Sequence, residues 1–135
     1  MKRRITFSLL FLALVMLVTA CGGQPLISLA STQLNLGDVV NGVVVTRELD
    51  VQNDGQADLI IEAVTTSCGC TQATIDPMTI TPGNSGTLRI TFDSGAHGPD
   101  LTGPLVRQVF IASNDRQKPE ASIELVANIL PPEER

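Results

Sequence analysis

Hydrophobic and polar residues alternate with a period of two along most of the chain after residue 26. The clearest run covers residues 87–93, where Leu88, Ile90 and Phe92 point to one face and the polar residues between them to the other. The last run places five apolar residues on one face: Ala121, Ile123, Leu125, Ala127 and Ile129. No stretch shows the 3.6-residue period of an amphipathic helix, so the pattern predicts β-strands.

Shorter runs of the same period lie between recognisable turns. Their inward faces are predicted to carry Leu34 and Leu36, Leu49 and Val51, Leu59, Ile61 and Ala63, and Val109 and Ile111. The turn signals between them are Asn53-Asp54-Gly55, Pro82-Gly83 and Ser113-Asn114-Asp115. About seven short strands, with turn signals about every 8–12 residues, predict an all-β antiparallel sandwich of two sheets. A small barrel is the alternative architecture.

The first twenty residues have the three regions of an export signal. Lys2, Arg3 and Arg4 form a cationic start, an apolar run covers residues 9–18, and small residues precede Cys21. That apolar run is too short for a membrane-spanning helix, which needs roughly 20 residues. The tetrapeptide at 18–21 resembles the lipobox of bacterial lipoproteins. The resemblance implies cleavage before Cys21 and a covalent lipid on this cysteine.

These features divide the chain into four parts. Residues 1–20 are predicted to be a cleaved signal peptide, 21–26 a flexible lipidated tether, 27–130 the sandwich domain and 131–135 a disordered tail. The lipid is expected to hold the exported protein on the outer face of the cytoplasmic membrane or on the outer membrane, because each buried methylene contributes about 0.8 kcal/mol.

Charge and aromatic content exclude several classes of partner. From residue 21 onwards the chain carries six basic and fourteen acidic residues, a formal net charge of −8. Nucleic acids and anionic lipid surfaces bind basic faces, so neither is an expected partner. Trp and Tyr are absent, and only Phe92 and Phe110 are aromatic after the signal. A pocket for a small-molecule substrate, which usually has aromatic walls, is therefore not expected.

Several local motifs resemble one bacterial family, catalogued as domain of unknown function 1573. They lie at residues 36–39, 51–55, 59–61, 66–71, 80–86, 90–93 and 109–115. The most specific is Cys-Gly-Cys-Thr at 68–71, placed ahead of the Pro-Gly turn. The resemblance covers residues 29–129 and implies an immunoglobulin-like sandwich of about seven strands in an exported protein, but no reaction. The chain departs from the family pattern at 94–104, which is longer and richer in Gly and Pro.

Cys68 and Cys70 are the chemically reactive pair. Free thiols rarely persist in an oxidising compartment, and Cys21 is expected to carry lipid, so the two can pair only with each other. In an extended strand their Cα atoms lie about 6.6 Å apart, at the far edge of the disulfide range of about 4.4–6.8 Å. A disulfide therefore requires contraction at Gly69, which lacks a Cβ and can adopt positive φ.

Three interpretations of this pair remain open at the level of sequence. The cysteines form a small structural or packed pair, or they exchange with other thiols. Alternatively they bind a soft metal, copper(I) or zinc, with His97 or Met78 completing the site. No resident cofactor other than the lipid is otherwise expected.

Catalytic chemistry has little support in the sequence. His97 is the single histidine, and it lies in a Gly- and Pro-rich loop that is not expected to hold an imidazole against a nucleophile. No catalytic residue is assigned. The sequence predicts a non-catalytic interaction or structural module whose sheet edges can bind a protein partner by strand addition. The alternative is a thiol-dependent metal-binding or redox factor that uses Cys68 and Cys70.

Overall fold

Nine β-strands make up the computed structural model, which describes residues 22–132. They are β1 (Ile27–Leu29), β2 (Gln33–Val40), β3 (Val44–Asn53), β4 (Leu59–Thr66), β5 (Thr71–Asp76), β6 (Thr79–Ile80), β7 (Ser85–Asp93), β8 (Gly103–Ser113) and β9 (Glu120–Leu130). The predicted signal peptide, Cys21 and the last three residues of the predicted tail lie outside the described residues. The described part of the chain contains no helix that is long and apolar enough to cross a membrane.

The strands form two sheets. The four-stranded sheet has the order β1-β3-β7-β5, and the five-stranded sheet has the order β2-β9-β8-β4-β6. All neighbouring strands are antiparallel except β2 and β9, which are parallel. The predicted all-β sandwich is confirmed. The count exceeds the expected seven, and three strands, β1, β5 and β6, have no counterpart among the six alternating runs of the sequence.

The core lies between the sheets, where the alternation predicted it. On β7, Leu88, Ile90 and Phe92 are at most 1% exposed, whereas Arg89 is exposed and Thr91 half-buried. All five residues predicted for the inner face of β9 are buried. Alternating strands therefore bury their apolar faces against each other, as a two-layer sandwich requires.

The prediction is wrong for one of the inward-facing positions, Ala63. Ile61 lies opposite Ser113 and Ala63 lies opposite Ala112, so β4 carries one extra residue against β8 at this point. Such a bulge reverses the direction of every following side chain. Ala63 is therefore exposed, and Val64 packs against the core instead.

The predicted tether is attached to the domain before residue 27. Gln56 N–H donates to the carbonyl of Gln24 (2.8 Å), and Asp54 N–H donates to that of Leu26 (2.9 Å). Gly55 permits this approach, because a Cβ there would lie 2.2 Å from the Gln24 carbonyl oxygen. Residues 24–26 are thus hydrogen-bonded to the 54–56 turn of the sandwich.

A buried asparagine organises the turns at this end of the sandwich. The Asn53 amide donates to the carbonyls of Ala57 and Ile80, both at 2.8 Å. Its side-chain oxygen accepts from the N–H groups of Leu26 and Gly55. The Asn-Asp-Gly turn signal therefore marks a residue whose side chain pairs with backbone groups of its own turn and of two other segments, at residues 26 and 80.

Asp115 has a similar role at the β8–β9 turn, where it is 1% exposed. Its carboxylate accepts from the N–H groups of Ile27 (2.9 Å), Gln117 (2.8 Å) and Lys118 (3.2 Å). Burial by itself raises the pKa of Asp115, but these hydrogen bonds and the Lys118 charge outweigh it and hold the pKa below its ordinary value. The ionised carboxylate thus ties β1 to the β8–β9 turn.

Asp115→Asn is expected to lower the free energy of unfolding by roughly 1–3 kcal/mol at neutral pH, since the variant turns an NH2 group towards backbone donors. The pKa of Asp115 is lower in the folded protein than in the unfolded chain. The full advantage of the wild type in unfolding free energy is therefore present above the pKa of the unfolded chain. It is lost as the pH falls below about 4, through the folded pKa. Urea unfolding at pH 7 and pH 3 measures both effects, with the exposed Asp58→Asn as control. An undiminished advantage at pH 3 contradicts this account.

Candidate functional site

A four-residue turn at 67–70 carries the cysteine pair from β4 in one sheet to β5 in the other. Cys68 and Cys70 are joined by a disulfide with an S–S distance of 1.99 Å, and their Cα atoms are 5.3 Å apart. This separation is shorter than the extended spacing, as a disulfide between these residues was expected to require. The turn supplies the contraction.

Gly69 does not use the conformational freedom that was expected of it. Five other glycines have positive φ, namely Gly37, Gly42, Gly83, Gly98 and Gly103. A Cβ placed on Gly69 has no neighbouring heavy atom within 4 Å. Gly69 therefore does not adopt the positive φ that is open to it, and an alanine Cβ fits at this position.

Hydrogen bonds that do not involve the sulfurs hold the turn. Thr66 Oγ1 lies at hydrogen-bonding distance from the carbonyls of Cys68 (3.0 Å) and Thr71 (2.9 Å), and donates to one or the other. Ser67 N–H donates to the Gln108 carbonyl, and Gln108 N–H donates to Ser67 Oγ, both at 2.9 Å. These contacts attach the turn to β8 independently of the disulfide.

The two sulfurs have different surroundings. Cys70 is 3% exposed and lies in the core, whereas Cys68 is half-buried. Arg107 Nε donates to Cys70 Sγ at 3.4 Å. The Thr71 hydroxyl lies 3.5 Å from Cys68 Sγ and 3.7 Å from Cys70 Sγ. The cation thus contacts the buried sulfur, and the hydroxyl contacts both.

Arg107 was not singled out from the sequence. It lies on β8 in phase with Leu105 and Val109, which are both buried, so its side chain starts on the inner face of the sheet. Within residues 22–132 the one salt bridge joins Arg89 to Glu48 on the surface, so Arg107 has no carboxylate partner there. Arg107 could have been recognised from the sequence as an arginine at a strand position where the alternation predicts an inward-facing side chain.

The loop between β7 and β8 brings His97 to the cysteines. The Asn41 amide donates to the carbonyls of Gly98 and Leu101, both at 2.9 Å. Buried Ser94 accepts a hydrogen bond from Val43 N–H at 2.9 Å. The loop is therefore attached to the neighbouring 41–43 turn.

His97 is exposed, and one of its ring nitrogens and both cysteine sulfurs lie within 4.8 Å of one another. Met78 is not brought to this cluster. It is 47% exposed and follows the far end of β5, roughly 20 Å along that strand from Cys70. Three donors do not complete the four-ligand site typical of structural zinc. Copper(I) favours thiolates and fits these three donors better. It can bind them only when the disulfide is reduced.

Residues 27–129 match the family described as protein of unknown function, DUF1573. The chain belongs to this family. The match confirms the resemblance carried by the Cys-Gly-Cys-Thr motif and indicates no catalytic family. A comparison with curated proteins gives no significant match.

Solved structures with the same fold include a protein of unknown function from Porphyromonas gingivalis W83, with 27% identity and a TM-score of 0.67. The match covers 77% of this chain and 46% of that one, so this chain spans about half of its length. The PapD-like domain 7 of human CEP192 matches with 11% identity and a TM-score of 0.60 over 79% and 87% of the two chains. The Escherichia coli chaperone DraB matches with 13% identity and a TM-score of 0.54 over 76% and 54%. These likenesses confirm the immunoglobulin-like, PapD-like fold.

Proposed function

We propose that this protein is exported, anchored in a membrane by a lipid on Cys21, and acts as a non-catalytic module that binds a protein partner. In this proposal an extended segment of the partner adds as a strand to the free edge of β5. The observation that carries the proposal is the regular, unpaired edge that β5 leaves on the four-stranded sheet.

The backbone of β5 presents hydrogen-bonding groups to solvent. Asp93 N–H donates to the Cys70 carbonyl at 2.8 Å, which sets the alternation of the β5–β7 pair. The N–H and C=O groups of Ala73 and Ile75 therefore point away from β7. No hydrogen bond from residues 22–132 reaches them. Such groups are what an added strand pairs with.

The other sheet edges suit a partner strand less well. β1 and β6 are three and two residues long. β2 is longer, but its pairing shifts between Asn35 and Gly37, and a bulge of this kind blunts an edge. The six residues of β5 pair with β7 without any shift. The exposed side chains of Gln72, Thr74 and Asp76 make the docking strand polar, which favours a polar partner segment.

Strand addition predicts that Ala73→Pro abolishes partner binding, because proline removes an outward N–H while the β5–β7 hydrogen bonds remain. Ala73→Ser, which keeps this N–H, is the matched control. A photo-crosslinking residue at position 72, introduced in the exporting cells, should label one extended partner segment in the wild type and the control only. Equal labelling in the proline variant contradicts strand addition.

Lipid anchoring predicts that Cys21→Ser moves the protein from the membrane fraction to the soluble exported fraction, or leaves it unprocessed, because serine cannot accept the thioether-linked lipid. Fractionation and intact mass measure this outcome. Cleavage after Ala20 combined with full membrane retention of the variant contradicts the anchor. This test does not depend on whether β5 binds a partner.

A second candidate function is soft-metal binding by the reduced pair. The approach of His97 to both sulfurs favours it. Reduced protein is then expected to bind copper(I) in competition with a chromophoric chelator, and His97→Ala should weaken binding by about tenfold or more, as loss of a metal partner does. Met78→Ala, far from the cluster, is the control. Unchanged affinity in His97→Ala removes the histidine from the site.

A further inference from the structure

We propose that the Cys68–Cys70 disulfide is a thiol-exchange site with a fixed direction: an incoming thiolate attacks Cys68 Sγ, and Cys70 leaves as a thiolate beside Arg107. The electron donor is a dithiol of another exported molecule. This activity goes beyond membrane anchoring and strand binding and rests on neither.

Access to the two sulfurs sets the direction of attack. A thiolate must reach the sulfur it attacks from the side opposite the sulfur that leaves. Cys70 is 3% exposed and belongs to the core, whereas Cys68 packs against the core but stays half-buried. An external thiol therefore meets Cys68 Sγ, and the bond to Cys70 breaks.

Arg107 stabilises the group that leaves. Its Nε lies 3.4 Å from Cys70 Sγ, and a neighbouring cation favours the thiolate form of a cysteine. A better-stabilised thiolate leaves faster in disulfide exchange. The Thr71 hydroxyl lies at nearly equal distances from the two sulfurs and does not distinguish them. Of these two polar neighbours, only the arginine distinguishes the two ends of the disulfide.

The charge on Arg107 supports the same assignment. This half-buried side chain has no carboxylate partner in the described part of the chain, and a neutral disulfide sulfur is a weak acceptor. Reduction places a negative charge on the sulfur that the guanidinium already contacts. The arginine thus has a counter-ion in the reduced state that it lacks in the oxidised state, which favours reduction.

The reaction balances in two exchanges. In the first, the donor thiolate bonds to Cys68 Sγ, the Cys68–Cys70 bond breaks, and its electron pair goes to Cys70 as a thiolate. In the second, the other thiolate of the donor attacks the donor sulfur of this mixed disulfide and releases Cys68 as a thiolate, which takes a proton from solvent. The donor leaves as a disulfide, and the protein has gained two electrons.

The turn itself does not require the disulfide. Thr66, Ser67 and Gln108 make hydrogen bonds that hold the turn without using either sulfur. A disulfide that closes so small a loop also restricts the unfolded chain very little. The fold is therefore expected to survive both states of the pair, as an exchange site needs.

The test uses the full-length oxidised protein with glutathione as the probe. Acid quenching followed by peptide mass spectrometry locates the mixed disulfide, which is expected on Cys68. Arg107→Gln is expected to slow the reaction about fivefold, because part of the stabilisation of the leaving thiolate is already present in the transition state. Arg47→Gln, which removes an exposed charge elsewhere, should leave the rate unchanged.

Three results overturn the proposal: glutathione on Cys70, no reaction with excess glutathione, or equal rates in Arg107→Gln and the wild type. The first two are read from the wild-type protein and do not depend on the folding of a variant. A parallel reaction with reduced thioredoxin, a protein dithiol, identifies the source of the thiol. Complete reduction by thioredoxin at concentrations where glutathione is slow assigns the site to protein dithiols, and the reverse assigns it to small thiols, which contradicts the dithiol donor.

Discussion

The passage of the chain from one sheet to the other within residues 67–70 is the constraint on which the site depends. Stacked sheets lie about 10 Å apart, so four residues that leave β4 and enter β5 must turn sharply. The end of this turn enters the core and buries Cys70, while its outer part leaves Cys68 accessible. The unequal exposure of the sulfurs is thus a consequence of the topology of the sandwich.

Two segments that are distant in sequence contact the 67–70 turn from different sides. β8 contributes Arg107 from the inner face of its sheet, and the β7–β8 loop contributes His97 from the solvent side. Each is positioned by its own hydrogen bonds: strand pairing with β9 for the arginine, and contacts with Asn41 for the loop. The site therefore places a guanidinium against the buried sulfur and an imidazole near both sulfurs. The proposed thiol exchange depends on Arg107, and the proposed metal binding depends on His97.

Much of the fold could be predicted from alternation alone, because β7 and β9 each bury one face without interruption. The exposure of Ala63 could not be predicted in this way. A single extra residue in β4 changes which side chains face the core without changing the composition of the strand. The cysteine pair was recognisable from its spacing, but its surroundings were not. His97 is 27 positions from Cys70, and its approach depends on the hydrogen bonds of Asn41. Arg107 was hidden because a charged residue in an alternating strand is usually assigned to the surface.

The sandwich holds a disulfide in which Cys68 is half-buried and the buried Cys70 Sγ contacts the half-buried Arg107 guanidinium. The most direct measurement is an experimental structure of the reduced protein. The account predicts that Cys70 Sγ remains in contact with Arg107, that Cys68 Sγ rotates towards solvent, and that the backbone of 66–71 keeps its hydrogen bonds. A reduced structure in which Cys70 Sγ has left Arg107, or in which the turn has unfolded, contradicts it.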